Sequence, residues 1–190
     1  MLINLGKNSF GYGYPVPTLM VATYNDDNSV NVMNLHEAMR TNYGDLALCI
    51  GPRSKTYKNV SKRKALTISL VNQNVLAAVD YFGSVSGFNV PNKFEKTGLK
   101  AVKSQYVDAP IIENCPVVIE CELIEIINNF NFGTILARVV NIAADNSVID
   151  KNGKIDALKA GIILYDPFGT NYISLKEIVG KPWSDGRKFL

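Results

Sequence analysis

The sequence predicts a mainly β protein: a closed or partly closed antiparallel barrel with a few short helices. Three observations carry that expectation. Strand-like apolar segments dominate, about six or seven of them. Their connections are short and built from turn residues, as in Asn25-Asp-Asp-Asn-Ser29. The regular strand–helix alternation of a doubly wound sheet is missing, and no G-x-G-x-x-G follows a strand.

Each element has a local reason. Pro17 to Tyr24 is apolar and rich in β-formers, Asn25 to Ser29 turns the chain, and Val30 to His36 returns as the paired strand. Leu46 to Gly51 is a short apolar strand that stops at Gly51-Pro52. A helical pattern follows from about Thr56 to Lys64, with Ser54 or Thr56 as its cap and Tyr57 and Val60 on its buried face. Lys62-Arg63-Lys64 complements the dipole at its end and reads as solvated. Leu66 to Asn72 alternates, with Leu66, Ile68 and Leu70 on one face. Asn74 to Phe82 is helical with Asn74 as cap. Gly83 to Gly98 is loop-like, with a short helix around Pro91 to Lys96. Val117, Ile119, Cys121 and Leu123 alternate with Val118, Glu120 and Glu122, a half-exposed strand that puts both glutamates on a solvated face. Thr134 to Ala143 is a similar strand, and Asn128 to Gly133 turns between the two. Ile162 to Tyr165 is a further strand, closed by the turn Asp166-Pro-Phe-Gly169.

Composition bounds the function. A chain of 190 residues suits one domain with a substantial core. Its 47% hydrophobic and 19% charged residues are an ordinary globular balance. A net charge of +3 is too small to argue for nucleic acid and does not repel an anionic cofactor. The single histidine, and cysteines at 49, 115 and 121 without C-x-x-C spacing, argue against a zinc site. Cys49 and Cys121 sit in apolar runs and read as buried hydrophobes. An odd cysteine count without a secretory signal points to a reducing cytoplasm. No apolar run approaches the ~20 residues of a membrane-spanning helix.

The stretch Leu46 to Val60 carries the most chemistry. Arg53, Ser54, Lys55 and Thr56 place two cations and two hydroxyls at a helix start. A helix N-terminus offers unpaired N–H groups and a positive dipole end, so it suits a phosphate. The competing reading is an ordinary capped surface helix.

Several segments together resemble the flavin reductase-like family, in its flavoredoxin-type branch. They are Asn31-Val-Met-Asn-Leu-His36 after the strand Thr18 to Tyr24, Gly51-Pro-Arg-Ser-Lys-Thr56, and Asp80-Tyr-Phe-Gly-Ser-Val-Ser-Gly87 continuing through Lys93 to Leu99. Asp108-Ala-Pro-Ile-Ile and Cys115-Pro-Val-Val-Ile-Glu-Cys121 follow in the same order. The resemblance covers nearly the whole chain. It implies an antiparallel Greek-key split barrel, with residues 1–190 forming a single FMN-binding domain. It also implies noncovalent FMN near a homodimer interface. Asn31, Val32, Met33, Asn34 and Leu35 would line the flavin ring, partly through backbone groups. Ser54, Lys55 and Thr56 would hold the phosphate, with Arg53 adding a forked contact. Tyr81, Phe82, Gly83 and Ser86 would form a loop over or beside the flavin. Lys93 would reach the ring or the partner subunit, the alternative being a solvated lysine beside Lys96.

No residue of the chain is needed as a catalyst, because the flavin carries the redox chemistry. His36 at a strand end reads as a structural residue rather than a proton donor. Tyr165, Phe168 and Trp183 read as packing residues of the core or dimer. The expected function is an FMN-dependent oxidoreductase taking reducing equivalents from NADH, NADPH or a redox protein to an acceptor. The alternatives are an electron-carrier flavoprotein without efficient nicotinamide turnover, and a ligand binder with no redox partner. Neither nucleic acid nor a membrane is an expected partner.

Overall fold

The computed structural model describes residues 2–6, 13–42, 44–129 and 132–190. The strands in chain order are β1 (Val16–Pro17), β2 (Leu19–Tyr24), β3 (Val30–Leu35), β4 (Ala38–Asn42), β5 (Asp45–Cys49), β6 (Ala65–Leu70), β7 (Ala101–Lys103), β8 (Pro110–Ile112), β9 (Val117–Asn129), β10 (Phe132–Ala144), β11 (Ile163–Asp166) and β12 (Asn171–Ser174). Helix α1 (Lys55–Arg63) lies between β5 and β6, and α2 (Leu76–Ser84) follows β6.

The main sheet has seven antiparallel strands in the order β3-β2-β6-β9-β10-β5-β4. Its two edge strands, β3 and β4, are separated in sequence only by His36 and Glu37. Laid flat, seven strands would set those edges about 29 Å apart. The three residue steps from Leu35 to Ala38 reach at most about 11 Å. The sheet must therefore curl until its edges meet, which makes the split barrel. The long connection through α1 returns β6 beside β2, a Greek-key step. Irregular pairing between β9 and β10, at Leu136/Ala137 and Val139/Asn141, bends the long hairpin around the barrel.

Strand alternation divides the core in two. Leu19, Val21, Leu35, Leu48, Leu66, Ile68 and Ile135 fill the barrel, with Val60 of α1 among them. Met20, Ala22 and Val32 point the other way, onto Val79 and Phe82 of α2 and Ile112 of β8. β2 is thus buried on both faces, which its nearly unbroken apolar sequence allows.

Several sequence expectations need correction. The cap of the helical segment after β6 is Asn72, not Asn74: its side chain accepts the Asn74 N–H and opens a 3-10 turn over Gln73–Val75 before α2. The turn placed at Asn128 to Gly133 is shorter, because β9 runs to Asn129 and β10 starts at Phe132; residues 130–131 lie outside the described residues. Glu120 is not solvated. It is 1% exposed, and it accepts hydrogen bonds from the Ser104 hydroxyl and, at 2.6 Å, from Asn141 Nδ2. Only Glu122 faces solvent. Arg63 is half-buried rather than solvated. Its guanidinium donates to the Asn25 carbonyl, to Asn28 Oδ1 at 2.7 Å and to Asp108 at 3.2 Å, tying α1 to the β2–β3 turn. No helix among the described residues is long and apolar enough to cross a membrane.

Candidate functional site

The start of α1 is built by the short sequence after β5. Ser54 has extended backbone, and its Oγ accepts the Tyr57 N–H at 3.1 Å, so Ser54 is the cap. The amides of Lys55 and Thr56 have no carbonyl one turn back within the helix, and they stay available at its positive end. Ser54 is occupied as an acceptor there, and its own O–H remains a donor.

α1 is clamped to the sheet by a buried polar network. Asn31 Nδ2 donates to Thr56 Oγ1 at 2.9 Å and to Thr23 Oγ1 at 3.3 Å. Asn59 Nδ2 donates to Thr23 Oγ1 at 3.0 Å and to Asn25 Oδ1 at 2.9 Å. Thr56, Asn59 and Val60 are the buried residues of the helix, on one face at spacings of three and four. The sequence reading passed over Thr23 and Asn59. The signal for Asn59 lies in that spacing, as a polar residue on the stripe that Val60 marks as buried, whereas Thr23 stands on β2, the one polar residue in an otherwise apolar buried run from Leu19 to Thr23.

The loop after α2 approaches this helix start closely. A Cβ on Gly87 would stand 2.4 Å from Asn31 Oδ1 and 3.2 Å from Lys55 Cβ. A Cβ on Gly83 would stand 3.2 Å from Asn34 Nδ2. Lys93 staples the loop from beneath. Its side chain is buried, and its Nζ donates to the carbonyls of Phe82 at 3.2 Å and Val85 at 3.0 Å. Burial pushes its pKa down to about 8. It is not the solvated lysine that was the alternative for this position.

These elements enclose a cleft of about 260 Å³. Asn31, Met33, Asn34, Ser54, Lys55, Thr56, Phe82, Gly83, Ser86 and Lys93 all line it, joined by Ser84, Val85 and Gly87. Three segments far apart in sequence thus meet at one place. Four other candidates do not present side chains there. Val32 and Leu35 are buried in the two cores. Arg53 is exposed on the turn before α1 and is no part of the cleft wall. Tyr81 faces a different depression with Ala77, Ala78, Lys96 and Thr97. The cause is local geometry: neighbours on a strand alternate faces, and neighbours on a helix lie about 100° apart.

A second cluster borders the end of β3. The His36 ring stacks on Tyr165 at 4.3 Å with 8° between planes, and Tyr172 lies 6.5 Å away, tilted. The Tyr172 hydroxyl donates to Asp80 Oδ1 at 3.0 Å. Burial lowers the pKa of His36, which favours the neutral ring. Asn34 Oδ1 is buried beside the cleft with no hydrogen-bond partner. The three cysteines are free thiols. Burial raises all three, Cys115 to about 11 and Cys121 to about 12, so none is poised as a thiolate.

Comparison with known proteins places this geometry. Residues 11–159 match the family model described as flavin reductase like domain. The fold superimposes on flavoredoxin of Desulfovibrio vulgaris (Miyazaki F) with a TM-score of 0.90 and 28% identity, covering 98% of this chain and all of that one. An FMN-binding protein from Thermus thermophilus shares the fold at a TM-score of 0.76 and 20% identity, over 96% of this chain and 97% of that one. An uncharacterized protein of Aquifex aeolicus is 27% identical over 117 residues, 60% of this chain. The match spans 55% of that relative's length.

Proposed function

Because the chain belongs to the flavin reductase-like domain family, we propose that it is an FMN-binding oxidoreductase. It passes reducing equivalents from a nicotinamide nucleotide or a redox protein to an acceptor. The observation that carries this reading is the single cleft formed by Asn31–Asn34, the start of α1 and the loop from Phe82 to Lys93.

The residues present suit FMN at both ends. Ser54 and Thr56 offer hydroxyl donors, Lys55 an ammonium, and the first helical turn two free amides, a donor set for a phosphate dianion. Asn34 Oδ1 is a buried acceptor without a donor, which a ring N–H would satisfy. Lys93 has three N–H donors and spends two on carbonyls, which leaves one for the cleft. When bound, FMN supplies the hydride and electron chemistry, and the protein binds and tunes it. The tuning falls to Lys93: a buried cation beside the cleft favours negative charge there. Gly83 and Gly87 let the loop backbone close against β3 and Lys55, which keeps water from that side.

The likeness to a flavoredoxin supports a second reading, an electron carrier with poor nicotinamide turnover. A homodimer belongs to either reading. Met39, Ile142 and Ile124 are exposed apolar residues of β4, β10 and β9 that a second copy would cover. Light scattering tests that part.

The deciding experiment is an absorption spectrum of the purified protein with added FMN, then with NADH or NADPH. Flavin bands near ~450 and ~370 nm are expected. Rapid loss of the longer-wavelength band on adding nicotinamide identifies the reductase, and its persistence identifies the carrier. A protein that stays colourless and binds no FMN overturns both.

A further inference from the structure

We propose that the segment after β12 is an arm exchanged between two copies of this chain, which seats Trp183 of each copy in a hollow beside His36 of the other. This goes beyond the homodimer of the proposed function, because it names the parts that meet, and it does not depend on FMN.

The arm is shaped but uncovered. Trp183 is 93% exposed, and Ile178, Val179 and Phe189 are almost as open. The backbone around Trp183 is nevertheless built into a turn. The Lys181 N–H donates to Asp185 Oδ2 at 2.9 Å, and Arg187 Nε donates to the Trp183 carbonyl at 3.2 Å. Trp183 itself has a φ of 57°, in the left-handed region that a bulky side chain rarely adopts. Strain of this kind clusters at clamps and switches. A strained turn that holds an indole out in water gains nothing within its own chain.

The hollow offers what the indole lacks. It measures about 400 Å³ and is walled mainly by apolar groups, from Tyr14, Val16, Ala38, Met39, Ala47 and Tyr165. The stacked rings of His36 and Tyr165 border it and suit a third aromatic ring. Glu37 and Thr134 put oxygen acceptors on the wall for the indole N–H, which needs one when buried. Charge agrees as well. The arm from Leu175 to Leu190 carries four cations against two carboxylates, and Glu37 is exposed at the hollow.

The occupant is a second copy because the hollow continues into the exposed apolar face. Met39 walls the one and belongs to the other, with Ile124 and Ile142. A two-fold contact there is reciprocal: each arm meets a hollow and each hollow meets an arm. Trp183 and Phe189 together bring about 300–500 Å². Ile178 and Val179 extend that toward the ~800 Å² per partner of a stable interface.

Trp183 is the single tryptophan of the chain, so its fluorescence reports the seat directly. Analytical ultracentrifugation of the full chain should show a dimer whose tryptophan emission is blue-shifted and shielded from acrylamide. Both properties should be lost together on dilution. Trp183→Ala should raise the dissociation constant of the dimer about thirtyfold or more, the scale of an aromatic hot spot. Ala47→Phe fills the hollow from its wall and should leave the tryptophan open to acrylamide. Mixing the two variants decides the exchange, because only the Ala47→Phe copy carries a tryptophan and only the Trp183→Ala copy has an open hollow. Emission should shift to the blue in the mixture and not in Ala47→Phe alone. A wild-type monomer overturns the exchange, whether its tryptophan is open or shielded by its own chain. A dimer with an open tryptophan, or a mixture with unchanged emission, overturns it too. Mass and tryptophan exposure are read apart from the flavin bands, so this proposal and the cofactor reading can fail separately.

Discussion

The side-chain amide of Asn31 donates to the hydroxyl of Thr56 at 2.9 Å, across 25 residues of sequence. Both residues also line the cleft. The bond that holds α1 to β3 is thus part of the wall that would receive the cofactor. Thr56→Val keeps the shape of the side chain and removes the acceptor, leaving the Asn31 N–H with only the longer bond to Thr23. A buried donor left poorly satisfied costs about 1–3 kcal/mol. Thr56→Val should lower the unfolding free energy read from urea melts by that amount and weaken FMN in parallel. A stable variant with weakened FMN would restrict Thr56 to ligand contact.

The phosphate assignment makes a sharper prediction. Ser54→Ala with Lys55→Ala removes a charged and a neutral donor from the helix start. FMN binding should weaken by about 1–3 kcal/mol per lost charge-assisted bond. Riboflavin has the same ring and no phosphate, so its affinity should not change. Equal losses for both ligands would place these residues elsewhere. Part of any stability loss is the cap itself, about 1 kcal/mol for Ser54.

What could be read ahead of the structure depended on how local the cause was. Helix α1 was legible because its strand stop, cap and buried face lie within one short stretch, Gly51 to Val60. The β2–β3 hairpin was legible because Asn25 to Ser29 encodes its own turn, closed by the Asn25 N–H to Ser29 carbonyl bond at 2.9 Å. Glu120 was misread because what buries it is distant: Ser104 on a loop and Asn141 on β10. β4 went unnoticed because Ala38–Asn42 has no clear alternation of its own and forms by pairing with β5. At the site, segments were easier to name than side chains. Asn34 and Leu35 are adjacent, yet one lines the cleft and the other fills the barrel.

Lys93 should make stability and binding depend on pH in opposite senses. Its pKa falls from 10.5 in the unfolded chain to about 8 in the fold. Between those values the unfolded state binds more protons, so without ligand stability should rise as pH increases from about 8 toward 10.5. Below about pH 8 the cost of the buried charge is present in full. An anion in the cleft favours the charged lysine, so FMN affinity should fall as pH passes about 8. Lys93→Met should flatten both profiles, apart from a constant loss from the freed Phe82 and Val85 carbonyls. Thermal melts and FMN titrations across that range decide it. A wild type whose profiles match the variant would remove the lysine from both roles.

The closest approach in the site is at Gly87, and it supplies a steric test that leaves charges and hydrogen-bonding groups in place. An added methyl there would stand 2.4 Å from Asn31 Oδ1 and 3.2 Å from Lys55 Cβ. The backbone of Gly87 is not in the left-handed region, so Gly87→Ala adds bulk without forcing a strained φ. Either the loop withdraws or Asn31 turns, and turning would break its bond to Thr56. Overpacking of this kind costs about 1–3 kcal/mol. Gly87→Ala should therefore weaken FMN roughly tenfold and lower the melting temperature by a few degrees. Gly51→Ala is the control, because a methyl at that position meets nothing within 4 Å. If both variants bind FMN as the wild type does, the loop does not wall the bound cofactor at this point. If both lose it equally, the turn before α1 controls binding instead.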